Sequence, residues 1–104
     1  MVFRAFSRMI EGLPAPAVIK ALEAQCKMLE SDIEHHRLAT TEEAFSILSF
    51  HHFVRMAQSG NVARCARPLP QEHVDFYKII TARLVDAREL PSSAMEQFDY
   101  TFAC

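Results

Sequence analysis

The segment 41–59, TEEAFSILSFHHFVRMAQS, constrains the fold most strongly, because its pattern predicts a helix with an unusually wide apolar face. Thr40 and Glu43 have the spacing of a capping box, and Gly60 is typical of the residue that follows a helix. At about 100° per residue, the apolar side chains cover an arc of roughly 200°. They are Phe45, Ile47, Phe50, Phe53, Val54, Met56 and Ala57. A surface helix of a small protein shows about half this arc, so we expect packing partners on two sides.

Four other segments show helical periodicity, and no alternating strand pattern exceeds a few residues. They cover approximately residues 1–13, 16–37, 70–88 and 92–104. A capping box of Ser93 and Glu96 is predicted to open the last of them. His73 falls within an apolar stripe, and we expect it to be a hydrogen-bonded core histidine. The sequence therefore predicts an all-α fold, a compact bundle of four to five helices around a central buried helix at about 41–59, in one domain over residues 1–104.

The charge balance and the apolar runs exclude several classes of protein. The net charge is −2 over 104 residues, which gives no overall positive field to hold nucleic acid. The uncharged runs are all shorter than the roughly 20 residues that span a bilayer. We therefore expect a cytoplasmic protein that binds neither nucleic acid nor a membrane.

The cysteines and histidines do not form a metal-binding pattern. Cys26, Cys65 and Cys104 are widely spaced and odd in number, which argues against a disulfide framework or a zinc site. Reduced thiols in the cytoplasm are the simplest interpretation. The histidine pairs at 35–36 and 51–52 would lie about 13 Å apart in an antiparallel hairpin, too far for one ion. We expect no metal and no cofactor.

The central helix carries a histidine followed three positions later by a basic residue. The run is His52-Phe53-Val54-Arg55. It resembles the pattern around the reactive histidine of histidine-containing phosphotransfer domains, which are helical bundles of similar size. The resemblance implies a phosphate relay through His52 with Arg55 beside it. Those domains have a small residue four positions after the histidine, where this chain has Met56. The other interpretation is that these polar residues form the solvated edge of an apolar helix.

The longest irregular segment follows Gly60 and places a cysteine between arginines. The segment reads NVARCARPLP and contains Arg64, Cys65 and Arg67. Positive neighbours favour the thiolate and lower the pKa of a cysteine. The sequence thus predicts a reactive thiol or an anion-binding loop, in a bundle that would respond to redox state or bind a small ligand. Cys26 lies in the apolar stripe of its helix, and we expect it to be unreactive.

The abundance of apolar residues predicts a protein partner. Hydrophobic residues make up 50% of the chain, and eight are Phe, which is rich for so short a monomer. We expect a two-fold homodimer whose candidate interface is Ile47, Phe50 and Val54. The leading hypothesis is a small regulatory or adaptor module that binds an as yet unidentified protein without catalysis. The alternatives are the relay through His52 and the redox-responsive or ligand-binding bundle.

Overall fold

The computed structural model describes residues 2–37, 41–64 and 68–103. Within these ranges the chain forms five helices and no strand. They are α1 (Val2–Glu11), α2 (Ala15–Glu34), α3 (Thr41–Gln58), α4 (Gln71–Asp86) and α5 (Ala94–Phe102). The prediction of an all-α bundle is confirmed. Among the described residues, no helix has both the length and the apolar character needed to cross a membrane.

Helices α2, α4 and α5 begin after a proline or a turn, and none of these three starts has a side-chain cap. Pro14 and Pro70 are the N-cap residues of α2 and α4, and neither helix has a side-chain cap. The predicted capping box at Ser93 does not form, because its backbone is already in the right-handed helical region, whereas a capping side chain requires an extended one. Thr40 lies outside the described residues. Glu43 accepts a hydrogen bond from the backbone N–H of Phe3 at 3.0 Å.

Three helices end at a residue with positive φ. Gly60 has φ of 76° at the end of α3, and the next amide donates back to the carbonyl of Met56 at 2.9 Å. This geometry closes the helix as predicted, since glycine adopts the left-handed conformation without steric cost. His36 and Arg88 take the same conformation, with φ of 56° and 61°, after α2 and α4. Helix α2 therefore stops at Glu34, before the predicted end.

Helix α3 lies at the centre of the bundle, where it packs against α1, α2 and α5. Its buried side chains cover about half of its circumference at 3.6 residues per turn. They are Ala44, Ser46, Ile47, Phe50, Phe53, Val54 and Ala57. The expectation that this helix has packing partners on more than one side is therefore confirmed.

The structure corrects the predicted interface residues. Ile47, Phe50 and Val54 are 0%, 1% and 0% exposed within the single chain, so they belong to its core. The ring of Phe50 stacks on Tyr77 of α4, with centroids 4.4 Å apart. The apolar side chain that α3 leaves at the surface is Phe45, which is 45% exposed. Five of the seven residues of the predicted arc are buried, whereas Phe45 is exposed and Met56 is half-buried. The neighbouring helices thus cover most of the predicted arc and leave one edge of it at the surface.

Candidate functional site

A groove runs along the outer face of α3, and we call it the α3 groove. Its volume is about 620 Å³, within the range of about 300–1,000 Å³ that is typical of ligand-binding clefts. Its walls come from α3, from the connection between α3 and α4, and from α5. The lining residues are Glu42, Phe45, Ser46, Leu48, Ser49, His52, Arg64, Leu69 and Thr101.

The middle of the α3 groove is apolar. Phe45 is 45% exposed, while Leu48 and Leu69 are half-buried. Covering a phenylalanine completely is worth about 1.5–3 kcal/mol relative to leaving it in water. An exposed aromatic side chain in the lining of a concave surface is the kind of anchor around which protein interfaces are built. The groove can therefore gain binding free energy from an apolar side chain of a partner.

The charged side chains of the α3 groove lie away from this apolar middle. Glu42 is in the first turn of α3 and His52 lies ten residues later on the same face. A rise of 1.5 Å per residue places them about 15 Å apart along the helix. Arg64 adds a second basic side chain from the connection. Along α3, the groove thus has a carboxylate towards one end and an imidazole towards the other.

Beneath the groove, three buried polar side chains form a hydrogen-bonded network between α3 and α4. The Oγ of Ser46 lies 2.8 Å from Nδ1 of His73 and 2.7 Å from the hydroxyl of Tyr77. Every hydroxyl proton is used when Tyr77 donates to Ser46 and Ser46 donates to an unprotonated Nδ1. The ring of Phe3 stacks on His73, with centroids 3.6 Å apart. The network therefore also anchors α1, and the prediction of a hydrogen-bonded core histidine is confirmed.

A serine beside a histidine also suggests nucleophilic catalysis, but the geometry here favours a structural role. A catalytic serine must present its Oγ to a substrate carbonyl. Ser46 is 0% exposed, and its hydroxyl is held by both His73 and Tyr77. No local sequence pattern singles out this serine, because its partners lie 27 and 31 residues away along the chain.

Burial controls the protonation of the network. Burial lowers the pKa of His73, and Glu72 and Glu43 oppose this shift to a smaller extent. Burial also raises the pKa of Tyr77, and the hydrogen bond between Tyr77 and Ser46 opposes this shift to a smaller extent. Both effects keep the groups neutral near pH 7, which is the state that the hydrogen bonds require.

We expect the free energy of unfolding to fall on acidification from about pH 7.5 to about pH 5. The pKa of His73 is lowered by burial, and that of His51 is lowered by burial and then by Arg55. The unfolded chain therefore binds more protons than the folded one as the pH falls past the unperturbed value of about 6.5. The two neutral imidazoles contribute their full stability above about pH 6.5. This contribution decreases as the pH falls from there to the lowered pKa values of the folded state.

Urea unfolding at the two pH values measures this effect. The matched control replaces both histidines with Gln, and it should show a smaller loss of stability on acidification than the wild type. A wild-type midpoint that stays constant or rises as the pH falls would contradict the assignment.

The structure brings two of the sequence-predicted residues to one place and separates others. His52 and Arg64 both line the α3 groove, although they were assigned to different candidate sites. Arg55 is exposed and lines another groove, between α2 and α3, together with His51. Cys65 and Arg67 lie outside the described residues. The relay through His52 stays a prediction, with an exposed imidazole and a half-buried Met56 four positions later.

The thiol of Cys26 is 1% exposed in the core. Burial, and to a smaller extent Glu30, raises its pKa to about 12. It therefore stays protonated at physiological pH, in accord with the predicted unreactive thiol.

The chain was compared with known protein families, curated proteins and solved structures. No known protein family, curated protein or solved structure matches the chain significantly. Within the described part of the chain, no three His, Cys, Asp or Glu side chains are grouped so as to hold a metal ion.

Proposed function

We propose that this chain is a small non-enzymatic protein-interaction module that binds its partner through the α3 groove. The observation that carries the proposal is the exposed ring of Phe45 in the apolar middle of a concave surface. A core phenylalanine of the same helix, Phe50, is 1% exposed. Phe45 is thus set apart from the packing of the bundle and is available to a partner.

The arrangement of the groove supports a protein partner. Protein interfaces combine an apolar, aromatic centre with a charged rim, and a few central aromatic residues supply most of their binding energy. Here Phe45, Leu48 and Leu69 occupy the middle, while Glu42 and His52 lie towards the ends. The partner should place an apolar side chain in the middle of the groove and opposite charges at its two ends.

Site-specific photo-cross-linking tests this proposal. A benzophenone amino acid at position 45 should give a discrete cross-linked product under native conditions. The matched control carries the same probe at position 79, because Ile79 of α4 is 61% exposed and lies outside the α3 groove. The expected result is a product that forms from position 45 and does not form from position 79.

The contrary outcome is equally specific. Products that are the same from positions 45 and 79 would show that the groove is not a docking surface.

A further inference from the structure

We infer that the partner in the α3 groove is a second copy of this chain, related by a two-fold axis that sets the two α3 helices antiparallel. The inference rests on the proposed function and names the partner for that same site. It is carried by the order of polar, bulky and small side chains along the outer face of α3. When a second α3 helix runs in the opposite direction, each of these side chains meets a complementary one.

The polar side chains at the two ends of the face, Glu42 and His52, complement each other in this arrangement. Glu42 and His52 lie on one face of α3, about 15 Å apart along the axis. A two-fold axis midway between them, at the level of residue 47, brings Glu42 of each copy to His52 of the other. The imidazole N–H of His52 in each copy can then donate a hydrogen bond to the carboxylate of Glu42 in the other copy. Because a two-fold interface repeats every contact, this pairing occurs twice.

The shapes match in the same register. With the axis at residue 47, Phe45 of one copy faces Ser49 of the other. A bulky ring therefore lies opposite a small side chain, and this contact is also made twice. Leu48 of each copy lies next to this position and adds apolar surface.

The hydroxyl of Ser49 does not prevent an aromatic ring from packing over it. It already donates to the backbone carbonyl of Phe45 in its own helix, at 2.8 Å. A polar group is costly to bury when its donor is left unpaired. Because the Ser49 hydroxyl keeps its own acceptor, covering it with a ring leaves no unpaired donor. Charge, shape and hydrogen bonding thus all suit one register of the two copies.

Reversing the charge at either end tests the register. By light scattering after gel filtration, the wild-type mass should approach twice the chain mass of 11.8 kDa. Glu42→Lys and His52→Glu should each weaken dimerisation by about tenfold or more, because the first removes the carboxylate that faces His52 and the second places two carboxylates together, each of them twice. An equimolar mixture of the two variants should restore the dimer, because the introduced lysine of one copy then meets the introduced glutamate of the other.

Two further variants control for the fold and the surface. Phe45→Arg should give a folded monomer, whereas Ile79→Arg, a change of an exposed apolar residue outside the groove, should dimerise like the wild type. Circular dichroism of each variant verifies that it is folded.

Several results would overturn the inference. A wild-type mass of 11.8 kDa up to submillimolar concentration would exclude the dimer. A dimer that the mixture of variants fails to restore would exclude this register. If the wild type is monomeric while the probe at position 45 cross-links specifically to another protein, the second copy is wrong and the proposed function stands. If the probe also gives no specific product, both are wrong.

Discussion

Phe50→Arg is expected to abolish folding, whereas Phe45→Arg, on the same helix, is expected to leave the fold intact. Phe50 is 1% exposed, and its ring stacks on Tyr77 with centroids 4.4 Å apart. An arginine there would bury a charge with no partner, which costs several kcal/mol in addition to the lost packing. A chain of this size has about 5–15 kcal/mol of net stability. Phe45 is 45% exposed, so an arginine at that position keeps its charge in water.

Alanine substitutions at the same two positions give a graded version of this test. Phe50→Ala should lower the free energy of unfolding by about 3–5 kcal/mol, the usual range for a buried phenylalanine. Phe45→Ala should lower it by less than about 1 kcal/mol, as is usual for surface changes. Urea unfolding monitored by circular dichroism measures both. Equal losses at the two positions, or a folded Phe50→Arg, would contradict the assignment of Phe50 to the core and Phe45 to the surface.

Ser46→Ala is expected to destabilise the chain far more than Ser49→Ala, although both remove one hydroxyl from α3. Loss of the Ser46 hydroxyl leaves His73 and Tyr77 without the partner that each has at 2.8 and 2.7 Å. A buried polar group left unpaired costs about 1–3 kcal/mol. The hydroxyl of Ser49 is exposed and donates to a carbonyl of its own helix, so its loss should change stability by no more than about 0.5 kcal/mol.

A second substitution separates the network from simple packing. Adding Tyr77→Phe to Ser46→Ala removes one of the two stranded groups, so the double variant should be more stable than the sum of the single effects predicts. Unfolding free energies of the four proteins in this cycle give the coupling. Additive effects would show that Ser46 and Tyr77 do not depend on each other.

The sequence was sufficient to predict the helices, because their signals are local. Gly60 ends α3 in a left-handed conformation, and the apolar spacing along segment 41–59 identifies a helix at the centre of the bundle. Helix starts were less well predicted, since Ser93 has the type and spacing of a capping residue but its backbone geometry does not permit a cap. A sequence pattern shows that a capping hydrogen bond is available, but the bond forms only if the backbone conformation permits it.

The candidate site was beyond prediction because it depends on contacts between distant parts of the chain. Periodicity along α3 places Phe45 and Phe50 in one apolar arc, and only the packing of α1, α2 and α5 leaves Phe45 outside it. The partners of Ser46 come from α4, about 30 residues later. His52 was identified as a candidate, but periodicity along one helix could not show that it shares a groove with Arg64.

Hydroxyl-radical footprinting with mass spectrometry tests the central claim most directly, because it reports the exposure of single side chains in the native protein. In the isolated and diluted chain, Phe45 and Ile79 should both be labelled, since they are 45% and 61% exposed. In cells that make the protein, labelling of Phe45 should fall sharply while that of Ile79 stays unchanged, because a partner covers the α3 groove. If the ratio of the two labels is the same in cells as in the diluted chain, the α3 groove is not a docking surface.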